Sequence, residues 1–118
     1  LCAIAITLPL FSSAVPAAEL PGTWSAEVDG TTYDLTFDAK GGLSIIEENN
    51  AIVVAQYETD DGKLTITDLG GAKACQGDIA EGTYSYTLAS GTLELSRVED
   101  PCEKRAAILD GTTLEAGG

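Results

Sequence analysis

Gly22 to Phe37 reads GTWSAEVDGTTYDLTF, and its period of two decides the fold class. Trp24, Ala26 and Val28 alternate with Ser25, Glu27 and Asp29, and Tyr33, Leu35 and Phe37 alternate with Asp34, Thr36 and Asp38. Successive side chains of a strand point to opposite faces, so each run presents one apolar face and one polar face. Between the runs stands Asp29-Gly30. Gly tolerates the positive φ of a two-residue hairpin turn, so the stretch predicts two antiparallel strands joined tightly.

The alternation continues outward. Leu43 to Glu47 forms a third run, Ile52 to Glu58 a fourth and Leu64 to Thr67 a fifth, parted by Gly41-Gly42, Asn49-Asn50 and Asp61-Gly62. Gly70-Gly71, Cys75 and Gly77 make a loop within 69–82. Tyr84, Tyr86 and Leu88 resume the pattern, Ser90-Gly91 turns the chain, and Leu93 and Leu95 follow. Pro101 to Leu109, PCEKRAAIL, has no alternation and predicts one or two helical turns, with Asp100 as cap and Pro101 in the first helical position. A short strand around Thr112 to Ala116 brings the expected number to eight. Short strands about ten residues apart predict an antiparallel all-β fold. The expected architecture is a small up-and-down eight-stranded barrel, whose closure removes the sheet edges. A sandwich is the alternative, which periodicity does not separate from it.

Residues 1–18, LCAIAITLPLFSSAVPAA, carry no charge. An apolar run to Phe11, then small residues with Val15-Pro16-Ala17 as an A-x-A-like site, reads as a cleaved secretory signal peptide. It lacks the basic n-region and so is expected to be N-terminally truncated. The run falls short of the ~20 residues that span a bilayer, which argues against membrane insertion of the mature chain. Residues 19–118 are then one exported barrel domain, periplasmic or secreted. In an oxidising compartment the remaining pair, Cys75 and Cys102, is expected to form a disulfide. A loop of that length is worth roughly 3.5 kcal/mol in the chain-entropy account.

Nineteen acids stand against six bases, with no His and a formal charge of −13. All of these charges follow the leader. Phosphate binding needs a basic stripe, so the balance argues against nucleic acid, and equally against an anionic lipid surface. A structural zinc needs four N or S ligands, which two Cys and no His do not supply. Asp60-Asp61-Gly62 and Glu47-Glu48-Asn49-Asn50 lack the spaced loop and distal bidentate Glu of a calcium site and read as turns. No Ser, Thr or Cys has a His base, and no glycine-rich phosphate loop leads from a strand into a helix. No catalytic residue, metal or cofactor is expected. The acids are expected to form a solvated outer face with ordinary pKa values.

Gly22-Thr23-Trp24 at the start of the first strand resembles the Gly-x-Trp opening of the lipocalins and their relatives. Leu64 to Asp68, Cys75, Gly82 to Leu88 and Asp100 to Arg105 are similar to the L-T-x-T-D, loop Cys, G-T-Y-x-Y-x-L and D-x-C-x-x-R pattern of small exported bacterial lipocalin-like, calycin-type proteins. The resemblance covers Pro21 to about Leu114. Ala55-Gln56-Tyr57 departs from it where Gly-x-Tyr is expected, and the domain is much shorter than a full-size lipocalin. The resemblance implies that Arg105 stacks across Trp24 and closes one end of the barrel, a cation–π contact reinforcing burial.

Tyr33, Phe37, Tyr57, Tyr84 and Tyr86 fall on the expected inward face. An eight-stranded barrel is either filled by side chains or holds one small ligand. The leading expectation is therefore a monomeric, non-enzymatic barrel binding a small apolar or aromatic ligand, lined by Tyr33, Phe37, Tyr57 and Tyr86. The alternative is a disulfide-stapled interaction or inhibitor protein, acting on a protease- or lysozyme-type partner. For that reading Leu69 to Glu81 is the natural contact loop, and acidity suits a basic partner.

Overall fold

The computed structural model describes residues 20–117; the expected leader, Cys2 included, lies outside the described residues. Eight antiparallel strands close into a barrel in chain order: β1 (Gly22–Val28), β2 (Thr31–Phe37), β3 (Gly42–Glu47), β4 (Asn50–Asp60), β5 (Lys63–Gly70), β6 (Glu81–Ala89), β7 (Thr92–Glu99) and β8 (Thr113–Ala116). The last strand returns to the first, with Trp24 opposite Ala116 and Ser25 opposite Glu115. The barrel, not the sandwich, is thus the solution to one apolar face per strand.

Tight hairpins build the closure. Both central residues of Asp29-Gly30, Glu48-Asn49, Asp61-Gly62 and Ser90-Gly91 have positive φ, the primed geometry whose twist matches that of paired strands. The alternation read from sequence becomes an interior. Leu35, Ile45, Val53, Leu64, Ile66, Tyr84, Leu93, Leu95 and Leu114 are all essentially inaccessible. These side chains pack in one continuous cluster, so the inward positions are occupied by one another.

Up-and-down order gives the barrel two different ends. One carries the turns at 29–30 and 48–49, the loop 71–80 with a 3-10 turn at Gly77–Ile79, and α1 (Glu103–Leu109). The far end carries the loop 38–41, the turns at 61–62 and 90–91, and the outer ends of β1 and β8. Helix α1 buries Arg105, Ala106, Ile108 and Leu109, and Ile108 and Leu109 join the core, so the helix covers the end where it sits.

The helix starts two residues later than the sequence implied. Cys102, not Asp100, occupies the cap position, and its side chain makes no capping bond. Asp100 Oδ1 instead accepts from the Cys102 N–H at 2.9 Å, a local Asx-type turn ahead of the helix. This frees the carboxylate for a partner inside the barrel.

Candidate functional site

Asp68, Cys75, Tyr84, Asp100, Cys102 and Arg105, all from motifs that carried the resemblance, converge in space. Arg105, wholly buried, donates through Nε to Asp100 Oδ2 at 2.9 Å and through Nη2 to Asp100 Oδ1 at 2.6 Å, a bidentate fork. Its Nη1 donates to the Ala80 carbonyl at 2.8 Å. The same nitrogen lies 2.8 Å from Asp68 Oδ1, an ion pair without hydrogen-bond geometry. Tyr84 Oη donates to Asp100 Oδ2 at 2.5 Å. Asp68 Oδ2 accepts from the Cys75 N–H at 2.8 Å. The Cys75–Cys102 disulfide closes the set, with Cα atoms 6.0 Å apart.

Two parallel ties therefore join the β5–β6 loop to the β7–α1 junction, one covalent and one ionic. Each Asp also accepts the backbone N–H of one cysteine, so the ties share residues. Gly82 stands beside them because nothing larger fits: a Cβ there would overlap the Asp100 carboxyl and lie 2.8 Å from Arg105 Nη2.

Electrostatics follow from the packing. Burial alone pushes the Asp100 carboxyl up, but hydrogen bonds from Arg105, Tyr84 and the Cys102 N–H outweigh it and hold the group below its ordinary value. Burial, then the bond to Asp100, raises the Tyr84 phenol far above its usual range. Desolvation works against the Arg105 charge, and Asp100 and Asp68 more than restore it. Nε, Nη1 and Nη2 of Arg105 and the Tyr84 hydroxyl each donate to a protein acceptor, so the cluster ties β6, the β5–β6 loop and α1 together.

Two sequence expectations are corrected here. Arg105 does not stack on Trp24. Its guanidinium is committed to Asp68, Asp100 and Ala80 near the helix end, while Trp24 is buried toward the far-end half of β1 and donates through Nε1 to the Leu20 carbonyl at 2.9 Å. Nor do the acids all face solvent. Asp68 and Asp100 are buried, because a guanidinium inside the barrel needs carboxylates to neutralise it.

The four aromatics expected to line one lumen point inward but do not share one place. Phe37 and Tyr57 meet edge to face, centroids 5.0 Å apart, toward the far end. Tyr57 Oη donates to the Asp38 carbonyl at 2.6 Å. Burial raises the Tyr57 phenol, with Asp38 and Tyr86 adding to it, which places Tyr86 in the same group. Tyr33 sits at the helix end, opposite Glu47 in the β2–β3 ladder.

Sequence reasoning missed an apolar edge. Three β-bulges shift the register among the described strands: one at Ile45/Ile46 opposite Ile52, one at Val54/Ala55 opposite Leu69 and one at Thr83/Tyr84 opposite Val98. A bulge re-aims side chains, and two of these leave Leu69 and Val98 facing outward. Leu69 is 58 % exposed, Val98 52 %, Val54 45 % and Ile79 42 %. Val54 pairs with Gly70, next to Leu69. The Asp68 N–H bonds the Ala80 carbonyl, which brings Ile79 alongside. Backbone pairing thus brings exposed Val54 of β4, Leu69 at the end of β5 and Ile79 of the stapled loop to neighbouring positions at the helix end. Next to it Asp78, Glu81 and Glu99, with Thr83 and Pro101, line a shallow recess of about 250 Å³.

Among protein-family models, curated proteins and solved structures, no match to the chain was found.

Proposed function

We propose that the chain is an exported, non-enzymatic interaction protein of the small bacterial lipocalin-like type, which docks on a basic secreted or envelope protein through the 69–81 loop. One observation carries this reading: a loop bearing exposed Leu69 and Ile79 is held at its middle by the disulfide at Cys75 and near its C-terminal end by Arg105 on Ala80 O. Rigid presentation lowers the ordering cost of association. Exposed apolar groups rimmed by charge are the usual composition of a docking patch. The rim here is acidic, and the chain as a whole carries −13, which favours a basic partner and speeds the encounter.

The carrier reading keeps one observation in its favour, the half-buried Tyr57 and Tyr86 at the far end. It requires space among inward side chains that already pack together, so the docking reading is preferred. The test is binding and inhibition against purified basic lysozymes and serine proteases, with Leu69→Asp/Ile79→Asp alongside the parent. The reading expects at least one partner to bind the parent, with affinity falling as salt rises, and the unchanged fold of the double variant to lose it. Equal binding by both chains would remove the loop from the account.

A further inference from the structure

We infer that a second site, separate from the docking edge, lies at the helix end: the recess between the β1–β2 turn, Lys73 and α1 takes a small carboxylate with an apolar or aromatic body. The recess measures about 300 Å³ and is walled by Val28, Tyr33, Ala107 and Ile108, with Lys73 and Lys104 at its margin. That volume is at the lower end of ligand pockets, which run at roughly 300–1,000 Å³.

Charge decides the ligand class. The chain has six basic residues, and two of them, from different elements, meet at this recess. An ammonium has three N–H donors. Lys73 gives one toward Glu47 at 3.1 Å and Lys104 one to the Ala74 carbonyl at 3.4 Å. Each can direct a further N–H at a carboxylate between them. The nearby acids are Glu47, already on Lys73, and Asp29, held in the β1–β2 turn. The Glu47 carboxylate, through its hydrogen bond and its charge, holds Lys73 in the ammonium form. Thr31 lines the same recess. The Tyr33 ring and the Ile108 and Val28 side chains then receive the body of the ligand.

The test is titration of the ¹⁵N-labelled protein with 4-phenylbutyrate and, separately, with the neutral 4-phenylbutyramide. The acid is expected to shift the amides of Val28, Tyr33, Lys73, Ala107 and Ile108 and to bind about fivefold more tightly than the amide, the effect of one partly exposed ion pair. Lys104→Glu should remove that preference and leave weak amide binding unchanged. Ala107→Trp, which fills the recess from an exposed helix position, should abolish both without lowering the melting temperature. Shifts confined to Tyr57 and Tyr86, no localised shifts at millimolar probe, or equal affinity for acid and amide would each overturn the inference. Ala107→Trp, at a helix position that carries none of the contacts holding the 69–81 loop, should leave docking at Leu69 and Ile79 untouched, so the two proposals fail separately.

Discussion

Arg105→Met removes the one cation from a buried pair of carboxylates. Arg105 and both Asp side chains of its ion pairs are fully inaccessible, and the guanidinium supplies two hydrogen bonds to Asp100 and one to Ala80 O. Breaking a buried ion pair from one side costs about 3–5 kcal/mol, because the remaining charge stays dry and unpaired. A single domain has about 5–15 kcal/mol in all. At about 4–8 °C per kcal/mol for a domain of this size, the melting temperature should fall by on the order of 15–30 °C.

The pH dependence gives a sharper signature. In the variant, unpaired burial raises the carboxylate pKa values above the ordinary value of about 3.9, so the native state binds protons more readily than the unfolded chain. The variant should therefore gain stability as pH falls from 7 toward 5. The parent should not, because its Asp100 is held below the ordinary value. The triple variant Asp68→Asn, Asp100→Asn, Arg105→Met should recover much of the loss, since no buried charge remains. Thermal and urea melts at pH 5 and 7 read all of this. An Arg105→Met melt within a few degrees of the parent, with no pH effect, would refute the reasoning.

Removing the disulfide, by reductant or as Cys75→Ala/Cys102→Ala, should lower stability by roughly 3.5 kcal/mol in a urea melt, because the unfolded chain regains the entropy of the closed loop. Trp24→Ala should cost about 3–5 kcal/mol as a large core truncation, measured in the same way. The parent should keep its Asp100 contribution above pH of about 3.9 and lose it as pH falls from there through the lower folded-state value; Asp100→Asn should flatten that acid limb. Gly82→Ala should destabilise markedly for so small a change, because its methyl group must displace Asp100 or Arg105 Nη2, and calorimetry will show it.

The barrel was legible because its information is local. Trp24, Tyr33, Leu35 and Phe37 alternate with polar residues, and Asp29-Gly30 carries the turn that joins the two strands. The disulfide was legible as two cysteines in a chain that reads as exported. The partners of Arg105 were not, because Asp68 and Asp100 lie 37 and 5 residues away and neither differs in sequence from the exposed acids. Only the clustering of Asp68, Cys75, Gly82, Tyr84, Asp100 and Arg105 in one set of motifs points there, and a motif gives positions along the chain without giving contacts between them. The exposed edge was hidden for a related reason. A bulge moves Leu69 outward by one residue of register, and register is set by the partner strand, not by the residue itself.

The most direct test of the docking claim places a photo-crosslinking benzoylphenylalanine at Ile79, and in a second chain at Glu27, exposed on β1. Both chains are irradiated with periplasmic and secreted fractions. The account predicts one basic protein joined at position 79 and none at 27, with the adduct lost in the Arg105→Met background, where the loop is no longer held at Ala80. Adducts equal at both positions, or none at 79, would contradict it.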